Sequence, residues 1–207
     1  MFLLMNENNF LGTILAGGKS SRFGEDKSTT KLGDKTLLDH TVGKIKNEFT
    51  EILVISNNKE LNFKNNKIHV VEDCIEGQLG PLVGILTAMK WVLKNKKKYK
   101  WIASFPCDTP FFDTKIINEL KIKVKETSKK LIFLNSNKKR HNIFGLWSLD
   151  LIEILEKDIK NNFRKVELWA DKVGYENINI NSEKFDRFLN INTKNDLEEA
   201  KENLDKI

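Results

Sequence analysis

Apolar and polar positions along this chain come in alternating blocks. A short apolar run at 11–16 reads as a buried strand, and it breaks at once into a polar loop containing glycines. Helical spacing resumes at 36–48, and β-branched runs at 51–56 and 68–72 read as two further strands. Pro81 opens a helix through about residue 93, and proline suits a first turn because its missing N–H would have no helical partner there. Leu82, Val83, Ile85, Leu86, Met89, Trp91 and Val92 leave that helix almost no polar side, so it should be deeply buried. A strand at 100–105 ends at Pro106, followed by a helix at 114–126 and a strand at 131–135. Beyond residue 140 the pattern predicts a strand at 143–147, helices at 149–159 and 163–172, and short strands at 175–180 and 188–191. Thr193 is the N-cap expected for a last helix, 194–204, with Asp196 in its first turn. Strands alternating with helices predict an α/β domain with a mostly parallel central sheet and helices on both faces. No repeat or linker divides the 207 residues, so the expectation is a single domain over 1–207.

In open parallel sheets, ligands sit at the carboxyl ends of the strands. The polar signals of this chain fall at those ends. The loop Leu15-Ala-Gly-Gly-Lys-Ser-Ser-Arg-Phe-Gly-Glu-Asp-Lys27 follows the first strand. Gly17 and Gly18 there let backbone N–H groups approach a ligand closely, and Lys19, Arg22 and Lys27 suit an anion such as phosphate. Ser56 and Asn57 follow the second strand, Asp73 the third, and Asp108 the fourth.

Composition changes this picture little. Charged residues make up 31% and hydrophobic ones 40%, the balance of a soluble globular domain. No apolar run reaches the roughly 18 residues of a membrane span, and residues 1–5 lack the basic region of a secretory signal, so cytoplasm is the expected compartment and no membrane partner is expected. Cys74 and Cys107 have neither a zinc spacing nor the density of a disulfide framework. The net charge of +6 raises nucleic-acid binding. Its densest runs, 94–100 and 138–140, are lysine-dominated and hold a single aromatic, Tyr99, not an aromatic-interleaved patch, which points to solvated surface and to no nucleic-acid partner.

Asp108 lies between Pro106 and Pro110, so the backbone aims its carboxylate. One carboxylate fits Mg²⁺, which takes its remaining ligands from water and substrate phosphate. The competing role, capping the helix at 114–126, already has Asp113 or Thr114. Asp73 could hydrogen-bond a ribose or a metal-bound water, or it could be a turn residue before Gly77. Gly80 and Gly84 flank a helix start, where smallness serves ligand approach or helix–sheet packing equally. Lys27 could meet an α-phosphate and a pyrophosphate leaving group, with Lys19 and Arg22 on the outer phosphates. No Ser/His/Asp or Cys/His arrangement offers a nucleophile. His69 reads as structural, and His141 stands before a strand close to the expected site.

These motifs resemble a known family. Leu15–Lys27 is similar to the LAGGxSxRMGxDK signature of the GT-A-like nucleotidyltransferases, with Phe23 where methionine is usual. Gly80-Pro-Leu-Val-Gly84 resembles their GPLAG segment, and Pro106-Cys-Asp-Thr-Pro110 their CDxP metal motif. Phe188-Leu-Asn-Ile-Asn-Thr193, then Asn195-Asp-Leu197, resembles the FxNxNTPEDL of the molybdenum cofactor guanylyltransferase branch (MobA type). Thr36, Asn142 and Lys194 replace prolines usual in the family.

The resemblance implies a Rossmann-like three-layer α/β/α fold of the GT-A type. It implies an NTP-binding half at about 10–112 and an acceptor or pterin half at about 113–207. The implied reaction is Mg²⁺-dependent transfer of GMP from GTP to Mo-molybdopterin, releasing pyrophosphate. Leu15, Ala16, Gly17 and Gly18 would approach base and ribose, Ser56 or Asn57, Asp73 and Gly80 would contact the nucleotide, and Lys27 the phosphates. Asp108 would hold Mg²⁺, Arg22 would assist catalysis, and Asn190 and Asn192 would bind the acceptor. A transient molybdoenzyme chaperone or insertion partner would receive so labile a product. Transfer from CTP or another NTP on the same fold, and a nucleotide-binding adaptor without turnover, remain open alternatives.

Overall fold

The computed structural model describes residues 9–17, 27–77, 79–181 and 185–206. The first strand, β1 (Phe10–Leu15), is followed by a small antiparallel pair, β2 (Lys31–Leu32) and β3 (Lys35–Thr36), and by helix α1 (Leu37–Ile45). Thr36 caps α1 with a reciprocal capping box to Asp39. Strands β4 (Ile52–Ile55) and β5 (Ile68–Val71), helix α2 (Pro81–Lys94) and strand β6 (Trp101–Pro106) complete the first part. Then come α3 (Lys115–Glu126), β7 (Leu131–Ser136), β8 (Lys139–Ser148), α4 (Ile152–Lys160), α5 (Val166–Val173), β9 (Glu176–Ile180) and α6 (Lys194–Glu202).

Seven strands form one sheet in the order β5-β4-β1-β6-β8-β7-β9. Strands β5, β4, β1 and β6 pair in parallel, and β9 pairs in parallel with β7. β8 runs antiparallel to both its neighbours. One face of the sheet packs on Leu38, Val42 and Ile45 of α1 and on Ile116, Ile117 and Leu120 of α3. The other packs on α2, on Leu155 and Ile159 of α4, and on Val166, Trp169 and Ala170 of α5. This is the expected three-layer α/β/α arrangement, and α2 is buried along nine of its residues as its sequence required. Among the described residues no helix is long and apolar enough to cross a membrane.

Two differences from the sequence pattern bear on the site. β8 begins at Lys139, earlier than the strand expected at 143–147, because it forms a two-residue hairpin with β7. Asn137 and Lys138 both take left-handed backbone (φ 50° and 62°), as such a turn demands. A register shift follows between Phe133 and Leu134. At Gly145 a Cβ would stand 2.3 Å from the Ile132 carbonyl oxygen, so only glycine fits there. Residues 188–191 form no strand. Their alternating apolar residues are anchors in two separate places. Phe188 packs in the α1/α3 layer, and Ile191 joins Leu32, Leu37, Phe111 and Ala200 in a small third cluster. That cluster fastens the β2–β3 pair and α6 to the loop after β6.

Candidate active site

The carboxyl ends of the parallel strands are joined by main-chain hydrogen bonds. Ala16 N donates to the Ile55 carbonyl (2.9 Å), and Cys107 N donates to the Leu15 carbonyl (3.2 Å). The ends of β4, β1 and β6 thereby form one shelf. Above it opens a cleft of about 550 Å³, bordered by Leu15, Ala16, Gly17, Lys27, Asp73, Gly80, Asp108 and Asn190 among the expected site residues.

The shelf brings Asp73 beside Gly17, where a Cβ would stand 3.7 Å from Asp73 Oδ2. Asn57 makes a reciprocal pair with Asp73: its Nδ2 donates to Asp73 Oδ2 (3.1 Å), and Asp73 N donates to its Oδ1 (3.1 Å). Burial pushes the Asp73 carboxyl above its ordinary value, and the Asn57 amide partly opposes this. Ser56 is buried instead, with Oγ accepting from Asn58 N (3.2 Å), and it does not border the cleft. Asn57 is therefore the second-strand residue that reaches the site, through Asp73.

The two glycines at α2 separate into two roles. Gly80 takes φ +93° at the N-cap with open space around it, so its requirement is conformational, and Pro81 follows as the first helical residue. At Gly84 a Cβ would stand 2.9 Å from Leu15 Cδ2, so its smallness serves helix–sheet packing beneath the cleft.

Asp108 follows β6. Its backbone is held by Ile191 N donating to the Asp108 carbonyl (2.8 Å), and its Oδ1 faces Thr109 Oγ1 (3.4 Å). Thr41 Oγ1 of α1 reaches the Cys107 carbonyl (3.4 Å), and Asp113 Oδ1, not Asp108, takes the Lys115 N–H at the start of α3. The helix therefore leaves the Asp108 carboxylate to the cleft. Lys27 lies in a turn closed by Thr30 N on the Lys27 carbonyl (3.2 Å). Its Nζ is 2.9 Å from Asp108 Oδ2 and also donates to Asn192 Oδ1. Asn190 accepts from Thr109 Oγ1, and Asn192 N donates to Asp196 Oδ2 (2.8 Å), which also caps α6. Lys27, Asp108, Asn190 and Asn192, from the beginning, middle and end of the chain, therefore meet. Gly18, Lys19 and Arg22 lie outside the described residues.

The facing wall contains residues that sequence reasoning passed over. Lys139, Arg140 and Asn142 border the cleft. Arg140 is no solvated lysine-patch cation. Its guanidinium lies 4.3 Å from the Tyr175 ring centre, and it donates to Asn142 Oδ1 (2.7 Å), Asp171 Oδ1 (2.9 Å) and the Glu167 carbonyl (3.1 Å). His141 borders the cleft from inside β8, and not from a loop before the strand. Its ring stacks on Phe188 (4.2 Å between centres), and Nε2 is 2.7 Å from Ser136 Oγ. Burial, with the Lys139 charge, lowers its pKa to about 4, so it is neutral near pH 7. His69 is structural as expected, paired with Glu51 on the outer strand β5 (2.9 Å).

Among the described residues no group of three or more His, Cys, Asp or Glu could hold a metal. One partly buried carboxylate, Asp108, at the border of this open cleft is a donor set that suits Mg²⁺, which shares its shell with water and substrate oxygens, and not a closed zinc site.

The family described as a MobA-like NTP transferase domain matches residues 12–169. A molybdenum cofactor guanylyltransferase of Nitrobacter hamburgensis is 30% identical over 191 residues, covering 91% of each chain. One of Brucella ovis is 30% identical over 204 residues, covering 92% of this chain and 90% of that one. The crystal structure of molybdopterin-guanine dinucleotide biosynthesis protein A from Archaeoglobus fulgidus matches with a TM-score of 0.78 at 20% identity, covering 95% of this chain and all of that one. At that identity the likeness is one of fold. With a family match across most of its length and this arrangement at its strand ends, the chain belongs to the MobA-like NTP transferases, a family of nucleotidyltransferases.

Proposed function

We propose that this enzyme transfers GMP from Mg²⁺-bound GTP to the terminal phosphate of Mo-molybdopterin. An oxygen of the acceptor phosphate forms a bond to the α-phosphorus, the bond from that phosphorus to the bridging oxygen breaks, and pyrophosphate leaves. The products are the guanine dinucleotide form of the cofactor and pyrophosphate. The acceptor phosphate is already ionised near neutral pH, so the step needs no general base, and His141, held neutral, is not required as one. The transfer then depends on positioning and charge neutralisation.

Lys27 supports this reading most directly. Its ammonium stands between Asp108 at the end of β6 and Asn192 from the carboxy-terminal segment. It is thus a cation at the boundary of the two proposed halves, where the α-phosphate and the acceptor would meet. Asp108 would hold Mg²⁺, which when bound supplies charge neutralisation at the phosphates. Gly17 leaves the main chain bare beside Asp73, a pairing suited to a ribose whose hydroxyl donates to that carboxylate. Lys139, at the rim, offers a further phosphate contact. Asn190 and Asn192 would hold the acceptor. Guanine as the base rests on the names of the curated relatives.

The test offers each of the four NTPs with Mg²⁺ and loaded molybdopterin and measures pyrophosphate release. Release with GTP alone is expected. Turnover with CTP but not GTP would overturn the guanine assignment, and tight GTP binding without turnover would make the protein an adaptor.

A further inference from the structure

We propose that Lys27 is an internal counter-ion that fills the metal position until a metal–nucleotide complex displaces it, and that its departure frees Asn192 for the acceptor. The proposal deepens the nucleotidyltransferase reading and rests on it, with Asp108 as the carboxylate for the metal.

Oδ2 of Asp108 carries the Lys27 ammonium at 2.9 Å, while Oδ1 lies 3.4 Å from Thr109 Oγ1, whose closer partner is Asn190 Oδ1. Both side chains of the pair are largely buried, 17% and 20% exposed, so water screens them less than a surface ion pair. A dication approaching Oδ2 meets a fixed positive charge within a few ångströms, and in a partly buried site that repulsion is large. Asp196, held by the Asn192 and Thr193 N–H groups, feels the Lys27 charge, but among the described residues no group of three or more His, Cys, Asp or Glu gathers there to hold a bare metal ion. A metal ion by itself therefore binds poorly. A metal bound to a triphosphate differs in two respects. It brings its own oxygen ligands, and it offers Lys27 anionic partners in exchange for Asp108.

The same ammonium also donates to Asn192 Oδ1. When Lys27 turns to phosphate, that oxygen loses its donor. The backbone around it stays in place, because Ile191 N remains on the Asp108 carbonyl and Asn192 N on Asp196 Oδ2. Asn192 is thus presented without refolding, and only after nucleotide has entered. Binding is then ordered, nucleotide before acceptor.

The decisive variant is Lys27→Met, which keeps length and removes charge, with Lys27→Gln as a second variant should the first fail to fold. Mn²⁺ is titrated into each full-length protein without nucleotide, reading free Mn²⁺ by its paramagnetic resonance signal. The charge-free variant should bind Mn²⁺ alone about tenfold more tightly than wild type. It should bind Mn²⁺·GTP about tenfold or more weakly. A lysine that only contacts phosphate gives the second effect without the first, so unchanged or weakened Mn²⁺ binding in a folded variant overturns the proposal. In parallel, the Asn192 side-chain amide resonance of wild type should shift on addition of Mg²⁺·GTP and already be shifted in the variant. No shift in wild type would overturn the release of Asn192. Failure of wild type to bind GTP would instead sink the functional reading, while the metal-only titration would still decide whether Lys27 fills the metal position.

Discussion

The two walls of the cleft are made differently. The wall of Leu15–Gly17, Asp73, Gly80 and Asp108 hangs on parallel strand ends that are tied to one another through the main chain. The facing wall, residues 139–144 with 185–192, is laddered to β7 at Lys139–His141 and tied to Asp108 at Ile191, but it reaches the rest of the cleft largely through side chains. His141 stacks on Phe188, Arg140 bridges β8 to α5, and Thr109 holds Asn190. Main-chain scaffolding is indifferent to most substitutions, so on the first wall a variant should lose chemistry and keep its fold. A wall made of side-chain contacts registers each deletion in stability or in acceptor binding. On the proposed function, the first wall would set what happens to the nucleotide, and the second what it is transferred to.

The largest expected effect is on the first wall. Asp108→Ala should lower turnover by about a thousandfold or more, roughly 4 kcal/mol, as for loss of a carboxylate that holds a catalytic metal. Its thermal midpoint should stay close to that of wild type. Wild-type-like activity would refute the metal role, and loss of the folded state would blur the contrast between the walls. Lys27→Ala should cost about 3 kcal/mol in kcat/KM, the scale of a lost preorganised charge contact. An unchanged kcat/KM would remove Lys27 from the transfer.

On the second wall the expected readouts are stability and acceptor affinity. The His141 pKa is near 4 in the folded protein against about 6.5 unfolded. Between those values the unfolded chain takes up a proton that the folded protein refuses. His141 should therefore withdraw stability as pH falls from about 6.5 toward 4, by about 2 kcal/mol at pH 5. Urea unfolding of wild type and His141→Gln at pH 7 and pH 5 reads this, and equal pH dependence in the two proteins would contradict it. The smallest effect is expected for Asn192→Ala, about tenfold, or roughly 1.4 kcal/mol, in KM for the acceptor with GTP affinity retained. Weakened GTP binding of the same size would place Asn192 on the nucleotide side instead.

How far each wall was legible in the sequence follows the same division. Strand ends and loops that act through the main chain leave marks in residue type. Pro81 at a helix start and Pro106 at a strand end serve backbone needs that can be read without coordinates, and the carboxylate of Asp108 stands out between two prolines, whereas the conformational role of Gly80 needed the structure. Ser56 was harder, because its hydroxyl turns back onto Asn58 N and leaves the neighbouring Asn57 to reach Asp73. The second wall misled the pattern at 188–191. There alternation looks like a strand but serves two anchors, Phe188 and Ile191, in different apolar clusters. The direction of β8 was hidden because its tight turn is made by Asn137 and Lys138, without the glycine that usually signals left-handed backbone. Arg140 looked like part of a basic surface run because its partners, Tyr175, Asp171 and Glu167, lie about thirty residues onward.

The central claim, nucleotidyl transfer in which pyrophosphate leaves, is tested most directly by the fate of the two ends of the triphosphate. GTP labelled at the α-phosphate, and separately at the γ-phosphate, is supplied with Mg²⁺ and loaded molybdopterin, and the products are separated. The α-label should appear in the dinucleotide cofactor and the γ-label in pyrophosphate. Recovery of the γ-label on the acceptor, or of both labels only in unreacted GTP, would contradict it.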